Sequence, residues 1–352
     1  MTPATENGTY DAIDTVGLVG AGRVGQWFVT KLVRAGYDVV VSDVDAEAVA
    51  DAVDRGARAA EHPADATARS NVVLLALPTR EAVEAVMEGD DGVLDSLDAG
   101  QTVVDTGTTT PDVDVHYHGR CRDREVGYVD CGLTRHGPGP TDGDEPAYTL
   151  FVGGERETYQ RLTPIFDALG HTHEFFGGVG NGHVVKLGVV LRASIRAAMA
   201  AEVCTFLSQN GVDPERVVDL LEWDVPSVYV DPPYSTNRGF ERAVETDEGE
   251  TEGRRVRVDE SGARPRLRTS SWAKDTEYAL DVARASNSYV PLLTAAHQTR
   301  LLAENYGAAL ADHDLAFGDE AWQPFHLRSF YRALCRPQEE WRRLGRWNRE
   351  ES

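Results

Sequence analysis

Short runs of uninterrupted apolar residues, separated by stretches whose apolar positions recur every three or four residues, set the pattern of the first half of the chain. Thr15-Val16-Gly17-Leu18-Val19 predicts a strand, the stretch after Gly25 through Leu32 a helix, and Val39-Val40-Val41 a second strand, which together make one βαβ unit. Further strands are expected at Asn71 to Leu77, Thr102 to Val104 and Tyr128-Val129, with a helix at Thr79 to Met87. Strands that alternate with helices imply a parallel sheet covered on both faces, so the expected class is α/β.

After Gly182 the pattern changes. His183 to Asn210 is alanine-rich, lacks proline, has one interior glycine (Gly188) and ends at the helix stop Asn210-Gly211. A helix of that length spans about 40 Å at 1.5 Å per residue and suits a bridge between two domains. Further helices are expected at Pro214 to Trp223, Lys274 to Ala285 and Pro291 to Tyr306. Between them, about 226–267, a highly charged segment (Asp247-Glu248-Gly249-Glu250-Thr251-Glu252) reads as an insertion or mobile loop. Trp322, Phe325, Phe330, Tyr331, Trp341 and Trp347 then lie among arginines, as in a helical extension that packs on its own or a partner subunit. The expected organisation is a nucleotide-binding domain at 12–178, a helical domain at 179–312 and the extension at 313–352.

Charge narrows the partners. The formal net charge of -23, from 58 acidic and 35 basic residues, argues against nucleic acid or an anionic membrane as partner. Such a composition resembles that of a salt-adapted cytoplasm, where molar salt shortens the Debye length to roughly 3 Å and screens self-repulsion. Cys121, Cys131, Cys204 and Cys335 form no CxxC pair, which points to neither a zinc site nor a disulfide framework. No signal for export and no long apolar span is legible, so a cytoplasmic location is expected. Only three of the 35 basic residues are lysines: Lys31, Lys186 and Lys274. An ammonium can release a proton near neutral pH once desolvated and a guanidinium cannot, so Lys186, after Gly177-Gly178-Val179-Gly180-Asn181-Gly182, and Lys274, in Trp272-Ala273-Lys274-Asp275, stand out as chemical groups.

Gly20, Gly22 and Gly25 lie between a strand and a helix, where they suit a tight turn, close approach of a pyrophosphate and close helix–strand packing; Val24 lies within the same turn. Asp43, 18 residues after Gly25 at the end of the second strand, is placed to accept bonds from an adenosine ribose diol. A 2'-phosphate there would meet a like charge, so NAD is preferred over NADP, although the guanidinium of Arg23 is able to hold phosphate.

The order of motifs resembles the β-hydroxyacid dehydrogenase family, which includes 3-hydroxyisobutyrate dehydrogenases and is related to 6-phosphogluconate dehydrogenase. The resemblance spans residues 15 to about 310. It is carried by Gly20 to Gly25 with Asp43, Leu77-Pro78, Val104-Asp105-Thr106-Gly107-Thr108-Thr109-Thr110-Pro111, Asp130 to His136, Thr149 to Gly154, Gly177 to Lys186, and Lys274-Asp275. It implies a Rossmann N-terminal domain, a long interdomain helix, an all-α C-terminal domain, and a dimer or tetramer. By the same resemblance Lys186 is the catalytic acid/base. Lys274, Leu77, Pro78 and Thr108 are cofactor contacts, and Thr134, Arg135 and His136 stand in the substrate loop.

Two departures bear on the substrate. Where the family has serine-glycine-glycine this chain has Thr134-Arg135-His136, which keeps a hydroxyl and adds a guanidinium fork for a carboxylate, sulfonate or phosphate, as in the sulfolactaldehyde-reductase branch. Where the family has asparagine, four residues after the lysine, this chain has Val190; His183 and His136 are the candidates to replace that polar contact, against the more common role of a lone histidine as a packed or exposed side chain. The function expected is hydride transfer between a nicotinamide dinucleotide and a small 3-hydroxy acid or related anionic alcohol. The alternatives are a 6-phosphogluconate dehydrogenase-like decarboxylating enzyme and a non-catalytic dinucleotide-binding protein.

Overall fold

In a computed structural model of the chain the described residues are 13–135, 148–170, 172–210 and 271–299, with isolated positions 212, 216, 217, 220, 221 and 301. The charged segment at 226–267, the extension at 313–352, His136 and most of Pro214 to Trp223 lie outside them. In chain order the elements are β1 (Thr15–Val19), α1 (Arg23–Arg34), β2 (Asp38–Ser42), α2 (Ala46–Asp54), β3 (Arg58–Ala59), α3 (Pro63–Ala68), β4 (Val72–Leu75) and α4 (Arg80–Glu88). There follow β5 (Thr102–Asp105), α5 (Pro111–Arg122), β6 (Gly127–Arg135), β7 (Tyr148–Gly154), α6 (Arg156–Leu169), β8 (Thr172–Phe175), α7 (Asn181–Gln209) and α8 (Ser271–Ala285). Residues 291–299 are also helical.

The eight strands form one sheet in the order β3-β2-β1-β4-β5-β6-β7-β8. Its pairings are parallel except one: β7 runs antiparallel to β6, with Asp130 opposite Gly153 and Thr134 opposite Thr149. The expectation of a parallel sheet therefore needs correcting at this edge. Twelve residues, 136–147, separate β6 from β7 in sequence, at the lower limit of what a parallel crossover needs, so the antiparallel pairing is the less demanding connection.

Alternate residues of the fully buried central strands feed two separate cores. Val72 and Leu74 of β4 face one core, with Phe28 and Leu32 of α1 and Leu162, Ile165, Phe166 and Leu169 of α6. Val73 and Leu75 face the other, with Val83 and Met87 of α4 and Val113, Tyr117 and Cys121 of α5. The period-two geometry of a strand covered on both faces requires this division. Helix starts are fixed locally. Asp45 accepts from the Glu47 and Ala48 N–H groups before α2, and Thr79 accepts from the Ala82 N–H before α4.

The described residues through Gly188 make one compact unit and those from Val189 another, so α7 contributes to both. Among the described residues no helix is long and apolar enough to cross a membrane.

Candidate active site

The expected cofactor residues other than Lys274 lie at the carboxyl ends of β1, β2, β4 and β5, the crevice that an open parallel sheet offers to a ligand. Gly20 follows β1 with φ +102°, donates its N–H to the Ser42 carbonyl at 2.9 Å, and would place a Cβ 2.5 Å from the Ala76 carbonyl oxygen. Gly25 packs so closely that a Cβ would run into the Gly20 carbonyl oxygen, whereas Gly22, the N-cap of α1, is exposed with open space around it. No side chain caps that helix and its first turn holds no acidic residue, so its N–H groups suit a pyrophosphate. Val24 is half-buried against the first core.

The Asp43 carboxylate accepts from the Ala21 N–H at 2.5 Å and the Asp45 N–H at 2.9 Å. It is thereby held in the glycine turn, beside Val44, which is wholly exposed. Leu77 and Pro78 follow β4, and Leu77 lies between the two neighbouring strand ends: its side chain is 3.4 Å from a Cβ built on Gly20, its carbonyl 3.1 Å from one built on Gly107. Thr108 is half-buried in the loop after β5, which the Thr106 hydroxyl ties to the Leu75 carbonyl at 2.7 Å. These residues fit a dinucleotide.

Lys186 lies on the same unit. A Cβ built on Gly132 of β6 would sit 2.6 Å from the Lys186 Cβ and 2.8 Å from the Gly182 carbonyl oxygen, so α7 rests directly on the strand. Since Asp130 is level with Asp105, the last residue of β5, Gly132 lies beyond the end of β5, and Lys186 stands at the same carboxyl edge as the glycine turn. Thr134 is half-buried further along β6. The Arg135 side chain, like His136, is outside the described residues. Lys274 belongs to the second unit, where its ammonium is 3.1 Å from the Asp275 carboxylate and 5.1 Å from the centre of the Tyr278 ring.

His183 does not fill the place left by Val190. It is fully buried, and Nδ1 lies 2.8 Å from Asp114 Oδ2 and 3.0 Å from the Thr109 hydroxyl. The physical reason is the buried acidic group around it. Asp105, Asp114 and Asp130 are all 0% exposed, and an imidazolium is the cation that faces them. Burial alone would push the His183 ring down, but Asp114 first, then Asp105 and Asp130, raise it to about 10. Burial likewise pushes the Asp105 and Asp114 carboxyls above the usual carboxylate range against the opposing pull of His183.

Each carboxylate is anchored. Asp130 accepts from the Gly180 N–H at 2.7 Å and the His183 N–H at 3.0 Å, which caps the start of α7 from the strand. Asp114 accepts from the Tyr128 hydroxyl at 3.1 Å, and Asp105 from the Gly107 N–H at 2.9 Å. Asp105, Asp114 and His183 bring ligand-type atoms within 4.8 Å of one another, but Nδ1 of His183 is already engaged with Asp114 and Thr109. Sequence reasoning missed Asp114, and placed Thr109 in the motif after β5 without giving it a role. No local pattern marks Asp114, which stands in Pro111-Asp112-Val113-Asp114 and meets His183 across 69 residues of sequence.

Residues 15–180 match the model for the NAD binding domain of 6-phosphogluconate dehydrogenase. The NAD(+)-dependent, decarboxylating 6-phosphogluconate dehydrogenase of Haloferax volcanii is 38% identical over 180 residues, which are 49% of this chain and 56% of that relative, so the match spans little more than half of the relative's length. The L-threonate dehydrogenase of Cupriavidus necator is 24% identical over 293 residues, 83% of this chain and 91% of that one. The solved structure of Mycobacterium tuberculosis 3-hydroxyisobutyrate dehydrogenase with L-serine superposes with a TM-score of 0.65 at 19% identity, over 88% of this chain and 98% of that one, which shows a shared fold. In its Rossmann-like α/β unit, its long helix and these matches, the chain is similar to the NAD binding domain of 6-phosphogluconate dehydrogenase over residues 15–180 and shares the fold of a 3-hydroxyisobutyrate dehydrogenase.

Proposed function

We propose that the chain interconverts a small 3-hydroxy acid, or a related anionic alcohol, with its aldehyde or keto form, and that Lys186 is the acid/base. The observation that carries this is the position of Lys186, seated on Gly132 at the same carboxyl edge as the glycine turn and Thr108. A dinucleotide would be held by Gly20, Gly22, Val24, Gly25, Asp43, Leu77, Pro78 and Thr108 and would supply the hydride exchange; Lys274 is the further cofactor contact that the resemblance implies. Lys186 gives a proton to the substrate oxygen in reduction and takes one in oxidation. Thr134 offers a hydroxyl and Arg135 a guanidinium fork to the substrate's anionic group, a charge-assisted contact of about 1.5–3 kcal/mol. NAD is the preferred cofactor because the Asp43 carboxylate, fixed in the turn, repels a 2'-phosphate.

Several relatives support a small hydroxy acid by name, among them an L-threonate dehydrogenase and the NAD-dependent L-serine dehydrogenase of Pseudomonas aeruginosa. The Haloferax relative favours a second reading, oxidative decarboxylation of a sugar acid. The working state is a homodimer or homotetramer with an all-α second domain, in a salt-rich cytoplasm.

The test is oxidation of NADH and NADPH in concentrated KCl with small aldehydes that bear carboxylate, phosphate or sulfonate, and reduction of NAD with 6-phosphogluconate while released CO2 is measured. Turnover on an aldehyde that Lys186→Ala abolishes supports the proposal. CO2 release with no aldehyde turnover moves the assignment to the decarboxylating enzyme, and dinucleotide binding without turnover on either substrate set overturns both.

A further inference from the structure

We propose that His183 is a positioning residue: its ring clamps the first turn of α7, and with it Lys186, to the loop that carries Thr108. This rests on the assignment of Lys186 as acid/base. Nδ1 of His183 reaches Asp114 on α5 at 2.8 Å and the Thr109 hydroxyl, next to Thr108, at 3.0 Å. The His183 main chain is fixed separately, by Asp130 from β6. Asp114 is in turn held by the Tyr128 hydroxyl, while the Thr109 hydroxyl donates to Asp105 at 3.4 Å and the Gly107 N–H donates to the same carboxylate at 2.9 Å. The first turn of α7 is thus bound to three elements: β6, α5 and the β5–α5 loop.

Lys186 is three residues further along the helix, on the adjoining face. Three glycines line the contact beneath this part of the helix. Gly132 and Gly153 on the strands and Gly182 on the helix have no room for a Cβ, with Gly153 meeting Asp130 Oδ1 at 2.5 Å and Gly182 meeting Asp130 Oδ2 at 2.8 Å. Beside the buried Leu187, the contacts that hold this turn are polar and directional: the Asp130 cap and the His183 ring. Nε2 of His183 has no hydrogen-bond partner among the described residues, and the buried ring is retained although half its bonding capacity goes unused. A ring kept only to fill volume would be apolar.

A structural effect of losing the ring must be separated from a positional one. His183→Leu leaves Asp114 buried without its cation and is expected to lower the melting temperature sharply. The double variant His183→Leu/Asp114→Leu removes one charge of each sign and restores apolar packing, so it is expected to regain most of that stability. His183→Asn keeps an N–H donor close to the place of Nδ1.

Because the chain has only three lysines, Lys31, Lys186 and Lys274, reductive 13C-methylation gives a spectrum in which the Lys186 signal can be followed without turnover. In the stable double variant that signal is expected to move, and its titration with pH to change, while those of Lys31 and Lys274 keep theirs. The kcat is expected to fall about tenfold or more with the KM for NADH within about twofold, and His183→Asn is expected to recover most of the kcat. If the double variant melts like the parent and leaves the Lys186 signal unmoved, the clamp is refuted. A parent without turnover on any substrate would refute the function and leave the Lys186 spectrum to decide the clamp.

Discussion

Gly132→Ala adds one methyl group at the contact on which Lys186 rests. The backbone at Gly132 is ordinary strand, absent from the positive-φ positions, so alanine brings no backbone strain and the effect is steric. Its Cβ would sit 2.6 Å from the Lys186 Cβ and 2.8 Å from the Gly182 carbonyl, against about 3.5–4.0 Å for a relaxed carbon–carbon contact. Neither obstacle is a flexible side-chain tip. Both belong to successive turns of one face of α7, and β6 is held between β5 and β7, so the helix has to rise by about 1 Å. Overpacking of this kind costs about 1–3 kcal/mol, and a displacement of about 1 Å at a reacting group costs about 100-fold in rate.

The melting temperature should therefore drop by roughly 2–12 °C, at about 2–4 °C per kcal/mol. The kcat should fall about 100-fold while the affinity for NADH, whose proposed pyrophosphate site at the glycine turn is not part of this contact, stays within about twofold by calorimetry. Gly188→Ala, two residues beyond Lys186 and with nothing among the described residues within 4 Å of the added carbon, is the control and should gain about 0.5–1 kcal/mol. A Gly132→Ala protein with parental melting and parental kcat would refute the packing of α7 on β6.

Three further outcomes are expected. Asp43→Asn removes the negative charge while keeping an acceptor in the turn, so the preference for NADH over NADPH should shrink about 10- to 100-fold; an unchanged ratio of kcat/KM values would remove Asp43 from cofactor selection. The His183 pKa is raised from 6.5 to about 10, so the stability it contributes is full below pH 6.5 and is lost as pH rises towards 10. That loss, on the order of a few kcal/mol, should appear in urea midpoints and flatten in His183→Asn; a parent equally stable at pH 6.5 and 9.5 would contradict it. The net charge of -23 predicts melting at a higher temperature in molar KCl than in dilute buffer, as the Debye length falls from about 10 Å at 0.1 M to about 3 Å at 1 M; a melting curve indifferent to salt would refute self-repulsion.

What the sequence made legible follows from which interactions are local. The glycine turn and its two strands were readable because glycine spacing and apolar runs sit side by side, and the long helix, expected at His183 to Asn210, is found at Asn181–Gln209. Of the nine residues of β6 only Tyr128-Val129 showed, since Asp130 and Gly132 interrupt the apolar run; both are there to receive α7. Helix α6 was hidden by Pro164 inside it, and α5 by the polar run His116 to Arg122. The clamp around His183 was illegible for another reason: its partners Asp114 and Thr109 are 69 and 74 residues away, brought near only by the crossing of α5 and α7 over neighbouring strands.

The two borders of the sheet have a consequence for the crowded solution inside a cell. On one side stands β3, two residues long, with Arg58 paired to Asp38 at 3.0 Å; on the other stands β8, four residues long, with His173 and Glu174 in its centre. Each offers too short and too charged a ladder for a stranger's strand to add to, which is how natural sheets avoid growing into aggregates. An eight-stranded sheet with apolar central strands is thereby closed to extension at both ends, and copies of this chain that meet have to do so through other surfaces.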